Sequence, residues 1–78
     1  MNLNDFVKNF GEQFDETDPS TITPATKFRS LDEWSSLVAL SIIAMIDEVY
    51  EVKVKGDDIR NSETVGDLFN LVQARLER

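Results

Sequence analysis

Trp34 Ser35 Ser36 Leu37 Val38 Ala39 Leu40 Ser41 Ile42 Ile43 Ala44 Met45 Ile46 Asp47 Glu48 Val49 Tyr50 is the stretch that decides how this chain folds. Two serines, both favoured where a helix begins, stand directly before an apolar pattern that contains neither Gly nor Pro, which predicts a helix from about Ser36 to Tyr50. At 3.6 residues per turn Val38, Ile42, Met45, Ile46 and Val49 share a broad face with Ala39, Ile43 and Tyr50. The other side carries Ser41, Asp47, Glu48 and Glu51, with Leu37, Leu40 and Ala44 as an apolar stripe among them. A broad apolar face of this kind must be buried against other elements.

Those elements lie on both sides. Upstream, Leu3, Phe6, Val7, Phe10 and Phe14 fall in one sector opposite Asp5, Lys8, Asn9 and Glu12, which predicts an amphipathic helix over Leu3 to Phe14. Gly11 weakens its last turn, by about 1 kcal/mol relative to Ala. From Asp15 to Ser35 the chain holds Pro19, Pro24 and many Ser and Thr residues, and reads as a long ordered crossover pinned to the bundle by Ile22, Phe28, Leu31 and Trp34. Downstream, Val49 to Lys55 alternates apolar and polar but has no second strand to pair with, so an extended connection is expected, with Val54 turned inward. One short helical turn over Gly56 to Arg60 follows, with Ile59 inward. The last helix begins near Thr64, whose hydroxyl and Asp67 have the spacing of a capping box, and Val65, Leu68, Phe69, Val72 and Leu76 form its stripe with Leu71 at the margin. The fold class is all-α: residues 1–78 form one domain of three longer helices and a short one, with the long loop between the first and second helices.

Composition narrows the function. At 78 residues folding removes only about 60% of the unfolded chain's surface from water, which leaves no room for a deep active-site cavity. Fifteen acidic residues against eight basic ones give a net charge of −7; this disfavours nucleic acid and favours basic protein surfaces as partners. No apolar run approaches the roughly 20 residues that span a bilayer, and Met1 Asn2 Leu3 Asn4 Asp5 lacks the pattern of a signal peptide, so a cytoplasmic monomer is expected. The absence of Cys and His removes disulfides, thiolate and imidazole metal sites, cysteine nucleophiles and histidine bases. A reactive group would have to be added to the chain. Asp57, Asp58, Asn61 and Glu63 are oxygen donors without the spacing of a calcium loop and read as a solvated turn. Trp34 and Phe28 read as a cover over the core.

The local signal that carries chemistry is Trp34 Ser35 Ser36 Leu37, which sets a hydroxyl at the amino-terminal edge of the second helix. On physical grounds a serine there is ordinarily a cap. A phosphodiester attached to it would be favoured by the unpaired N–H groups and the positive end of the helix dipole. The segment Phe28 Arg29 Ser30 Leu31 Asp32 Glu33 Trp34 Ser35 Ser36 Leu37, continued by Leu40, Ile42, Ile43, Met45, Ile46, Asp47, Glu48 and Val49, resembles the region around the modified serine of acyl carrier proteins. Asp58 Ile59, Thr64 Val65 and Asp67 Leu68 are similar to that family's short third helix and the start of its last one, so the resemblance covers nearly the whole chain.

The resemblance implies that a phosphopantetheinyl transferase attaches 4'-phosphopantetheine from coenzyme A to Ser36, supplying a thiol on which acyl groups are held as thioesters. It implies a non-catalytic carrier of fatty-acid or secondary-metabolite (polyketide) biosynthesis. Leu37, Leu40, Ala44, Asp47 and Glu48 match positions that dock onto basic, partly apolar grooves of acyl-loading, acyl-transfer and condensing enzymes. An apolar stripe rimmed by acids is independently what an electrostatically steered interface uses; the competing expectation is that the long loop covers Leu37 and Leu40. Two departures stand out. Ser35 replaces the family's usual Asp, which removes a charge and adds a second candidate hydroxyl, and Val38 and Ser41 stand where acids are common. The first keeps open an unmodified docking module acting through the second helix. A stand-alone enzyme would need a site of carboxylates, lysines and hydroxyls on a surface without a pocket.

Overall fold

The computed structural model describes residues 2–76. Asn2 caps the first helix, α1 (Leu3–Gly11), its Oδ1 accepting the Asp5 N–H at 3.1 Å. α1 is shorter than the periodicity predicts. After Gly11 the chain tightens into i→i−3 bonds, with Gln13 N–H donating to Phe10 C=O and Phe14 N–H to Gly11 C=O. The tightening keeps Phe14 buried although it lies outside the helix. A side chain at position 11 would place its Cβ 3.1 Å from Pro19 Cβ, so the glycine is what lets the returning loop approach.

That loop is ordered throughout its length by short-range bonds and by its apolar residues. Two 3-10 turns, Pro19–Thr21 and Phe28–Ser30, punctuate it. Ile22 and Phe28 are buried, with Leu31 and Trp34 packed against the core. Its polar straps were not legible in the sequence. The Glu33 carboxylate accepts the N–H groups of Asp15, Glu16 and Thr17 and the Thr17 hydroxyl, at 2.7 to 3.1 Å, and the Thr17 bond leads in holding this carboxyl below the ordinary glutamate range. At the loop's middle, Thr26 and Pro24 carbonyls accept the N–H groups of Val65 and Gly66 at 3.1 and 2.9 Å. They satisfy two of the donors that the last helix leaves free at its start.

α2 (Ser36–Tyr50) has the predicted bounds. Ile42, Met45 and Ile46 are buried, but Val49 is 52% exposed, against the wheel's expectation, because it borders a groove whose facing wall is Asn9, Glu12 and Gln13. Glu51 closes the helix in the left-handed conformation (φ 57°). The extended connection then buries Val52 and Val54. α3 (Gly56–Asn61) is the expected short helix, with Ile59 buried. α4 (Val65–Leu76) starts at the expected capping box: Asp67 N–H donates to Thr64 Oγ1, and Thr64 N–H to Asp67 Oδ2, both at 3.1 Å. Val65, Leu68, Phe69 and Val72 are buried, whereas Leu76 at the helix end is exposed.

The result is an all-α domain of four helices and two 3-10 turns with no strand among the described residues. α1 packs on α4 and α2, and α3 leans on α2. The core is bound by aromatic contacts that join all five Phe, the Tyr and the Trp. Phe6 meets Tyr50 and Phe69 at centroid distances of 5.7 and 5.6 Å, Phe10 meets Phe28 at 5.4 Å, and Phe28 meets Trp34 at 5.1 Å. Phe28 is thus core, fully buried beneath Trp34, and not merely its cover. Asp58 also departs from expectation. Instead of belonging to a solvated turn it accepts the Lys55 N–H at the start of α3 and pairs with both terminal nitrogens of Arg75 at 2.8 and 2.9 Å.

Two outcomes follow from this packing. Phe28→Ala is expected to cost about 3–5 kcal/mol in urea unfolding, because it empties a site walled by Phe10 and Trp34. The Asp58 carboxyl is held below the ordinary aspartate range chiefly by its hydrogen bonds from Arg75. Its folded pKa lies below its unfolded value of about 4, so its contribution is complete above that value and is lost as pH falls through the folded one. Asp58→Asn is therefore expected to lower stability at pH 7 by about 1 kcal/mol, a screened, partly exposed pair. The gap from the unsubstituted chain should narrow in unfolding curves taken below pH ~4.

Candidate functional site

The amino-terminal end of α2 holds two adjacent serines with different duties. Ser35 is the cap: its backbone is extended, its Oγ accepts the Val38 N–H at 3.3 Å, and its carbonyl accepts the Ala39 N–H at 3.0 Å. Ser36 is the first residue of the helix. It is exposed, and its hydroxyl makes no hydrogen bond among the described residues. The ordinary role of a serine before a helix is thus filled by Ser35, which leaves Ser36 chemically uncommitted.

Ser36 opens on a cleft of about 370 Å³ between the start of α2, the turn at Phe28–Ser30 and α3, lined by Arg29, Trp34, Ser35, Ser36, Ala39, Gly56, Ile59 and Arg60. Each wall is fixed by a core residue next to it in sequence or by its own burial. Phe28 anchors Arg29, the Phe14 and Phe28 rings hold Trp34, and buried Ile59 sets α3 beside α2. Among the described residues, those lining the cleft include no carboxylate, and the chain has no His. The arrangement offers an exposed hydroxyl beside a half-open, partly apolar surface.

The predicted docking residues lie along the outward side of α2. Leu37 and Leu40 are 76% and 62% exposed, so the long loop does not cover them. Ala44, Asp47 and Glu48 are also exposed. At the helical period, Leu37, Leu40, Ala44, Asp47 and Glu48 occupy one sector of the helix surface. Asp47 is partly spoken for by an exposed ion pair with Lys53 at 3.2 Å, whereas Glu48 has no ion pair among the described residues. The site therefore has two parts, a hydroxyl beside a cleft and a protruding apolar stripe with acids toward its far end.

Arg29, Ile59 and Arg60 join the cleft without having been picked out as site residues in the sequence. They come from the loop and α3, and no local spacing relates them to Ser36. Among the described residues no group of acidic side chains converges as a metal cage, and no helix is long and apolar enough to cross a membrane. No protein-family model matches the chain, and neither a curated protein nor a solved structure does so.

The division of labour between the serines has a direct readout. Ser35→Ala is expected to cost about 1 kcal/mol through loss of the cap. Ser36→Ala should be neutral or slightly stabilising, since Ala is the better helix former. Paired thermal or urea unfolding curves of the two variants check this.

Proposed function

We propose that the protein is an acyl carrier whose prosthetic 4'-phosphopantetheine arm is attached to Ser36 by a phosphopantetheinyl transferase that draws on coenzyme A. The observation that carries this reading is the exposed, uncommitted Ser36 hydroxyl at the first position of α2, beside a cleft and next to a bare Leu37 and Leu40. When bound, the arm supplies the thiol that a cysteine-free chain lacks, and acyl groups ride on it as thioesters. The chain's own residues do three things. Ser36 anchors, the cap at Ser35 holds the helix start in place, and the walls of Trp34, Ala39 and Ile59 offer apolar shelter close to the anchor.

Transfer between enzymes then falls to the outward side of α2. Exposed Leu37, Leu40 and Ala44 give a small apolar contact, and Asp47 and Glu48, in a chain of net charge −7, steer it toward basic docking surfaces. Acyl-loading, acyl-transfer and condensing enzymes of fatty-acid or polyketide biosynthesis are the partners this predicts, in the cytoplasm, with the protein a monomeric substrate of those enzymes and not a catalyst. The resemblance of residues 28–49 to the modified region of acyl carrier proteins supports the same reading.

A second reading is an unmodified docking module that uses the same stripe. It is favoured by Ser35 standing in place of the usual Asp, and by the exposure of Leu37 and Leu40, which requires no arm. Intact-mass measurement after incubation with coenzyme A, magnesium and a permissive transferase separates the two. A gain of one phosphopantetheine that Ser36→Ala abolishes is the expected result. No gain with several transferases selects the docking module, and a gain that survives Ser36→Ala moves the anchor to another hydroxyl.

A further inference from the structure

In a chain with 15 acidic residues and 8 basic ones, the charged side chains lining the cleft at Ser36 are two arginines, with no acid among them. Arg29 is exposed and has no ion pair or side-chain hydrogen bond among the described residues. Arg60 pairs with Asp57, one turn before it on α3. It also lies over Gly56, where an added Cβ would be 3.5 Å from its Nη1. A guanidinium carries five N–H donors, so one carboxylate contact leaves Arg60 with most of its donors available. The two cations come from different elements, each next to a fully or almost fully buried residue, Phe28 for Arg29 and Ile59 for Arg60. Trp34 and Ile59 line the same cleft as the two arginines and Ser36. Low-dielectric walls strengthen the field that such cations project into a cleft.

We propose that Arg29 and Arg60 form an anion subsite for a phosphate ester, and that its occupant is the phosphodiester carried by Ser36. Planar guanidinium forks match phosphate oxygens better than point charges do. The subsite holds the root of the arm against the cleft, compensating the charge that an already acidic protein gains on modification. The choice of occupant rests on the carrier reading; the capacity of the two arginines to bind phosphate does not.

The test uses the full chain, unmodified and modified. The unmodified protein is titrated with inorganic phosphate at constant ionic strength while the NMR signals of the Arg29 and Arg60 Nε–H groups and the Ser36 amide are followed. Saturable shifts at these three groups are expected. The dissociation constant should rise about fivefold or more in the Arg29→Ala, Arg60→Ala double variant, as loss of two exposed charge pairs implies. Lys8→Ala, which removes one charge from α1, should leave it nearly unchanged, and urea midpoints verify that each variant is folded. In the modified protein added phosphate should produce no such shifts, because the subsite is filled.

Non-saturable shifts, an unchanged constant in the double variant, or an equal loss in Lys8→Ala would overturn the subsite. Phosphate binding of equal strength before and after modification would overturn the assigned occupant. A chain that accepts the arm but shows no arginine-dependent phosphate binding keeps the carrier reading and loses the subsite. A chain that refuses the arm yet binds phosphate through both arginines loses the carrier reading and the assigned occupant, while the phosphate subsite stands.

Discussion

Phe28 is fully buried, and its ring meets Phe10 at 5.4 Å and Trp34 at 5.1 Å, which ties α1 to the end of the loop that leads into α2. Phe10 is placed by the periodicity of α1, and Trp34 stands one residue before the cap of α2. Between them runs a loop of some twenty residues, whose ordering is entropically expensive at about 1–2 kcal/mol per residue. Burying Phe28 completely, with Ile22 and part of Leu31 and Trp34, offsets part of that cost, alongside the hydrogen bonds to Glu33 and to the start of α4. With the ring in place, the chain arrives at Ser35 in an extended conformation and from one direction, so the start of α2 is fixed relative to α3.

The acidic residues divide into two populations. Asp18, Glu33, Asp58 and Asp67 accept hydrogen bonds from the chain around them and are held below their ordinary pKa range for that reason. They close turns, cap helices and tie α3 to α4. Glu48 has no such partner among the described residues, and its charge faces solvent. A net charge of −7 is therefore not simply a destabilising load, because part of it is tied into the backbone while the remainder sets the electrostatic character of the surface.

These two arrangements separate the functions that the site would need. The cleft lies where the loop and α3 meet α2, and its charged members are cationic; the stripe of Leu37 and Leu40 lies on the outward side of the same helix, with Asp47 and Glu48 toward its far end. Ser36 and the exposed Leu37–Glu48 sector lie on one helix and so have a fixed mutual geometry, as the proposed carrier role requires.

The sequence alone determined whatever depends on neighbours along the chain. The bounds of α2, the Thr64–Asp67 capping box, the short α3 and the inward face of α4 follow from caps and from the 3.6-residue period, both of which are local. Ser36 and the Leu37–Glu48 sector became candidates through the resemblance of residues 28–49 to acyl carrier proteins; caps and period alone place them only at the start and along one side of α2. Tertiary structure alone decided that Val49 and Leu76 lie outside the core, that Asp58 meets Arg75, and that Arg29 and Arg60 line the cleft at Ser36. Periodicity tells which face of a helix is apolar, but it carries no information about where a neighbouring element ends. The cleft exists because a loop and a short helix, remote from one another in the chain, are brought together by the burial of Phe28 and Ile59.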